Sequence, residues 1–171
     1  MKKMGLIGIL GILILAVAVS GCTSSTGNTT YTNGKVSFLI PSDMQNVTKS
    51  SDIISGDKNW QDIAFMANSD ITLSFQKYNG TISANQVISA TESGFKENNG
   101  NVTSTTNTTN PNGVVINGAT TTLADPNGKI LTYHDMVFTS DGVTYMLSVY
   151  GADAQTVLDA YNMVYNSLKI A

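Results

Sequence analysis

Residues 110–150 read NPNGVVINGATTTLADPNGKILTYHDMVFTSDGVTYMLSVY, and this stretch decides the fold. Three runs rich in β-branched and aromatic residues, Val114 to Leu123, Lys129 to Phe138 and Val143 to Tyr150, are separated by turn sequences. The turns are Asn110-Pro111-Asn112-Gly113, Asp125-Pro126-Asn127-Gly128 and Ser140-Asp141-Gly142. Pro presets φ and Gly reaches positive φ, so these clusters reverse the chain. Connections this short join antiparallel neighbours, because a parallel pair needs a crossover of about a dozen residues. The first turn also closes off a Thr-rich, exposed strand, Asn101 to Thr109, which completes a four-strand meander.

Working outward, Asp153 is a good N-cap for a helix whose Val157, Leu158, Tyr161, Val164, Tyr165 and Leu168 fall on one stripe. That stripe must cover something, and the meander is the nearest sheet. Upstream, Ser83 and Gln86 have capping-box spacing, and Ala84, Val87, Ile88, Thr91 and Phe95 follow at helical spacing, up to a stop at Asn98-Asn99-Gly100. Before that helix, Asp62 to Ala67 and Asp70 to Tyr78 read as a hairpin, with Ile71, Leu73 and Phe75 alternating against Thr72, Ser74 and Gln76. Val36 to Ile40 is a short strand ended by Pro41-Ser42-Asp43, and the stretch from there to Asn59 reads as loop. The order predicts an α+β fold: an antiparallel β-sheet with two main helices packed on it, an α/β sandwich.

The N-terminus has a different logic. Lys2 and Lys3 precede an almost wholly apolar run from Gly5 to Val19, which ends in Val19-Ser20-Gly21-Cys22. The run falls short of the ~20 residues that span a bilayer and has the anatomy of a secretory signal. Its last four residues resemble the lipobox of prokaryotic lipoproteins, and that resemblance implies lipid on Cys22 as the mature first residue. An uncleaved anchor or an ordinary secretory signal would place the domain on the same side of the membrane. Thr23 to Thr30 contains only Ser, Thr, Gly and Asn. The expected organisation is therefore a signal peptide at 1–21, a lipid-bearing Cys22 with a flexible tether at 22–33, and one domain at 34–171. This puts the domain on the extracytoplasmic face of the cell membrane, held there by lipid.

Composition excludes some functions. Of 171 residues, nine are basic and all nine are Lys; two of those lie in the leader, leaving seven against twelve acids. Nucleic-acid binding needs clustered Lys and Arg, and that footprint is missing. The absence of Arg also argues against bidentate recognition of phosphorylated ligands. Cys22 is the sole cysteine, so neither an internal disulfide nor a Cys–His metal cluster is possible. No cofactor and no metal site is expected.

The segment Tyr31-Thr32-Asn33-Gly34-Lys35-Val36-Ser37-Phe38-Leu39-Ile40-Pro41-Ser42, with a C-terminal helix running into Ser167 to Ile170, resembles the PsbP-like superfamily. The likeness covers roughly residues 31–171; the Trp that usually follows the proline is Met44 here. Members of that superfamily include photosystem II subunits and a partner of a small GTPase in nuclear transport, and many prokaryotic relatives are lipoproteins. The resemblance implies an α/β sandwich and a non-enzymatic interaction module, with a possible protein partner at the cell surface.

The remaining candidates for chemistry are few. His134 is the only histidine; Asp135 follows it and on a strand points to the opposite face, so the two make no dyad. A lone His among Ile130, Met136 and Phe138 is more often structural than a base, and no Gly-x-Ser-x-Gly accompanies it. Asp125-x-Asn127-Gly128 reads first as a turn, since it lacks the further ligands of a calcium loop. Asp52, Asp57 and Asp62 read as solvated carboxylates, and Trp60 as an anchor for its strand. Asn28, Asn46, Asn79, Asn101 and Asn107 each head an Asn-x-Thr sequon, giving five possible N-glycosylation sites. The functional expectation is a membrane-anchored binding or accessory domain that is not an enzyme. The alternative is an extracytoplasmic hydrolase using His134, which would place that residue about 3 Å from an acid or hydroxyl at a pocket rim.

Overall fold

A computed structural model describes residues 27–47 and 59–171. The signal peptide, Cys22 and the first part of the tether lie outside the described residues, as do Asp52 and Asp57. The elements in chain order are β1 (Asn28–Asn33), β2 (Val36–Pro41), β3 (Gln45–Asn46), β4 (Trp60–Ala67), β5 (Ile71–Tyr78), α1 (Ala84–Glu97), β6 (Asn101–Thr109), β7 (Val115–Ala124), β8 (Ile130–Ser140), β9 (Val143–Gly151), α2 (Ala154–Ser167) and β10 (Lys169–Ile170). A seven-stranded sheet runs β3-β4-β5-β9-β8-β7-β6, and a three-stranded sheet runs β1-β2-β10. Every recorded pairing is antiparallel. The meander over 101–150 forms as the turn chemistry dictates, and β9 then inserts beside β5 to join it to the β4–β5 hairpin.

Alternation along the strands sends the two helices to opposite faces. Met136 and Phe138 of β8 and Leu147 and Val149 of β9 pack with Val157, Ala160 and Val164 of α2 and with Leu168, which caps its end. Their strand neighbours Val137 and Met146 pack with Val87 and Ile88 of α1 on the other side. The small sheet lies beside α2: Val36, Phe38 and Ile40 join the same core, and the Leu39 N–H donates to Ser167 Oγ at 2.8 Å. Asn110, buried in the β6–β7 turn, donates through Nδ2 to the carbonyls of Tyr165 and Leu168, and so satisfies two acceptors left open at the end of α2.

Two expectations are corrected. The tether expected over 22–33 overlaps β1, because Asn28–Asn33 pairs residue by residue with β2 from Asn28↔Pro41 to Asn33↔Val36. Polar β-branched Thr suits a half-exposed strand, and Gly34, at φ +57°, closes the hairpin. The α2 stripe is also narrower than expected. Val157, Ala160, Val164 and Leu168 are buried, while Leu158 is only partly so, because the helix is rotated to seat Ala160 against the sheet. Past α2 the chain closes as the two-residue strand β10 on β2.

At the start of α1 the capping box is complete: the Gln86 N–H donates to Ser83 Oγ, and the Ser83 N–H donates to Gln86 Oε1 at 3.0 Å. Ser83→Ala is expected to cost about 1 kcal/mol, read as a lower urea midpoint at unchanged slope. An unchanged midpoint would mean that the packing of α1, rather than its cap, fixes where the helix starts.

Candidate functional site

The two faces of β8 carry different chemistry. On the α2 side, Thr120 of β7 and His134 of β8 are direct cross-strand partners, with Thr120 Oγ1 3.0 Å from His134 Nδ1. The imidazole lies against the Tyr161 ring of α2, centroids 4.9 Å apart and tilted by 35°. Partial burial lowers its pKa below the ordinary histidine value, so the ring is neutral near pH 7. Position 118, next to Tyr161, is glycine: a Cβ there would lie 2.9 Å from Thr106 Oγ1 and 3.4 Å from the Tyr161 hydroxyl, so the crowding is with Thr106. Burial pushes the Tyr161 hydroxyl up to about 12, so it stays protonated.

Beyond Tyr161 the same face continues as hydroxyls. Cross-strand pairing sets Ser104 opposite Thr120, Thr106 opposite Gly118, and Thr122 between Asn101 and Thr132. The result is an uncharged, hydrogen-bonding surface on β6 and β7 with His134 at its inner border. Among the described residues no carboxylate hydrogen-bonds the imidazole, and Thr120 has no second group to activate it. The pair therefore meets the distance expected of a nucleophile and base but lacks the orienting third partner that such sites use.

The α1 side of β8 holds a closed polar layer. Asp135 accepts a hydrogen bond at Oδ1 from Ser148 Oγ of β9, and its Oδ2 has no partner among the described residues. Thr91 of α1, Thr121 of β7 and Tyr133 of β8 also carry buried hydroxyls without a hydrogen-bond partner among the described residues. Tyr133 stacks on Tyr150, centroids 4.9 Å apart, and meets Phe95 of α1 edge-on. Full burial raises the Asp135 carboxyl to about 6, only partly opposed by the Ser148 hydrogen bond. Desolvation first, and then the charges of Tyr150, Asp135 and Asp125, push the Tyr133 phenol well above its usual range. The layer lies between α1 and the sheet, and its carboxyl keeps its proton to a higher pH than an exposed aspartate would.

The other expected residues fall into ordinary roles. Asp125 Oδ1 accepts from the N–H groups of Asn127 and Lys129 at 2.8 and 2.9 Å, which makes the segment a side-chain-braced turn. Asp62 accepts from Gln76 Nε2 across the β4–β5 pair. Trp60 is half-buried, edge-on to Tyr78, and packs at the border of the α1 cluster. Asn28, Asn46, Asn79, Asn101 and Asn107 are all exposed. No group of three or more His, Cys, Asp or Glu among the described residues is placed to hold a metal. The buried Asp135 layer was not singled out in the sequence, although an Asp inside the apolar run from Leu131 to Phe138 is the signal that marks it.

No family model matches the sequence, and no curated protein matches it. Solved structures do. The solution structure of cyanobacterial PsbP from Synechocystis sp. PCC 6803 superposes with a TM-score of 0.59 over 89% of this chain and 99% of that one, at 14% identity. The fold is PsbP-like. A protein from Bacteroides thetaiotaomicron aligns with a TM-score of 0.50 at 12% identity, over 80% of this chain and 45% of that chain. LpqN of Mycobacterium tuberculosis, described as involved in cell envelope biogenesis, aligns with a TM-score of 0.47 at 19% identity, over 85% of this chain and 91% of that chain. The PsbP-like fold was expected from the Tyr31 to Ser42 segment and the Ser167 to Ile170 tail, and the superposition on the cyanobacterial protein extends it to nearly the whole of that chain.

Proposed function

We propose that this chain is an extracytoplasmic lipoprotein, anchored through lipid on Cys22, whose PsbP-like domain is an accessory binding module with no catalysis of its own. The observation that carries the non-catalytic reading is the state of His134. Its ring is neutral, held at Nδ1 by Thr120 and laid on Tyr161, with no carboxylate partner among the described residues. A general base needs both a reacting partner and a means of stabilising its protonated form, and a partly buried imidazole without a carboxylate lacks the second. The hydroxyl-rich face over β6 and β7 suits a partner that offers neutral hydrogen-bonding groups. The extracytoplasmic reading rests on the leader sequence; no helix among the described residues is long and apolar enough to cross a membrane.

Cys22→Ser is expected to move the protein from the membrane fraction to the soluble extracytoplasmic fraction, and intact mass of the native protein should start at a lipid-modified Cys22. An unmodified Cys22 or a different N-terminus would sink the anchoring claim. For the domain, Thr106→Lys with Thr120→Lys should abolish recovery of a cross-linked membrane partner, while His134→Ala should leave recovery within about twofold. A hydrolytic activity found by substrate screening and abolished by His134→Ala would replace this reading with the enzymatic one.

A further inference from the structure

The five sequons are not spread evenly over the fold. Asn28 lies on β1, Asn46 on β3, and Asn101 and Asn107 on β6, all strands that end one of the two sheets. Asn79 lies in the loop after β5, and none of the five lies on an inner strand. The strand β6 is the longest of these edges, nine residues against six in β1 and two in β3. It is paired on one side only, and is open to solvent at all but Val102 and Thr108, which are half-buried. It contains no Lys, Arg, Asp, Glu or Pro. Strands of this kind offer a row of free backbone N–H and C=O groups to any other strand, and proteins blunt them with charge, proline, short length or a bulge. The two-residue β3 is protected by its length. The β6 strand has a single irregularity, between Val102 and Ser104 at its beginning, which leaves Ser104 to Thr109 in regular register.

We propose that Asn101 and Asn107 carry N-linked glycans, which close the open edge of the large sheet. In the transfer step the side-chain amide nitrogen forms a bond to the anomeric carbon of a lipid-phosphate-linked oligosaccharide. The anomeric carbon–oxygen bond to that phosphate breaks, the phosphate carrier leaves with the bonding pair, and the amide loses one proton to the transferase. Each sugar then occupies volume beside β6 that an incoming strand would need. The proposal rests on the extracytoplasmic reading above, since such donors and transferases work outside the cytoplasm.

The test is a proteolytic digest of the protein purified from its own host, with mass spectrometry of the peptides that hold Cys22, Asn101 and Asn107. Saccharide additions are expected at both Asn101 and Asn107. Thr103→Val with Thr109→Val erases both sequons while keeping β-branched side chains on the strand. That variant should lose both additions and, in the Cys22→Ser background, elute as a larger species at an unchanged melting temperature. Bare Asn101 and Asn107 in a digest whose Cys22 peptide carries lipid would overturn the glycan proposal and leave the anchor standing. Sugar at Asn79 alone would overturn it as well. Sugar on β6 with an unmodified Cys22 would uphold it and remove the lipid anchor instead.

Discussion

Phe75→Ala is expected to lower the unfolding free energy by about 3–5 kcal/mol. Phe75 has no exposed surface and sits where three parts of the fold meet. Phe38 of β2 and Tyr31 of β1 contact it edge-on, with centroids 5.5 and 6.2 Å away, and Tyr145 of β9 and Phe138 of β8 stack against it at 5.7 and 6.5 Å. Truncation removes the ring and leaves a cavity that neither sheet can close alone, because the small sheet is fixed by α2 through Leu39 and Ser167. Phe75→Leu keeps much of the volume and should lose far less. Urea unfolding of both variants decides the matter. A loss below about 1 kcal/mol for the alanine variant would mean that the small sheet is not cooperatively joined to the large one.

The same position shows how the sequence carries the fold. Alternation of Ile71, Leu73 and Phe75 against Thr72, Ser74 and Gln76 is a local property, and it follows from the pleat alone. So do the three turns of the meander and the two helix caps, each written within four residues. What the sequence conceals depends on partners far along the chain. Asn28–Asn33 has a linker's composition and becomes a strand only because Val36–Pro41 folds back on it. Leu158 belongs to the apolar stripe by spacing, yet the seat of Ala160 on the sheet turns it partly outward. For the site, the separation of His134 from Asp135 follows from strand geometry. The partners of each, Tyr161 and Thr120 on one face and Ser148 on the other, depend on how the chain folds around β8. Nothing in a short apolar run such as Leu131 to Phe138 says that both of its faces will be covered.

Asp135→Asn is expected to remove a pH dependence of stability worth roughly 3 kcal/mol, the equivalent of raising one carboxyl from its ordinary range to about 6. In the unfolded chain Asp135 ionises near pH 4, whereas in the folded protein burial delays ionisation to about pH 6. Below pH 4 the carboxyl is protonated in both states, and its contribution to stability is fully present. As pH rises from 4 through 6 the unfolded state releases its proton first, so folding becomes progressively less favourable, and above that window the loss is complete. Near neutral pH the folded protein thus holds a fully buried carboxylate whose Oδ2 has no hydrogen-bond partner among the described residues. An asparagine keeps an acceptor for Ser148 Oγ, with no charge to desolvate. The variant should therefore match the wild type near pH 4 and exceed it near pH 8, and the difference between them should grow only across the window. The measurement is urea unfolding of both proteins at intervals from pH 4 to 8, taken as a difference so that the other carboxylates cancel. A difference that stays flat with pH would show that Asp135 ionises in the folded protein as readily as in the unfolded chain, and would place a neutralising partner at its free oxygen.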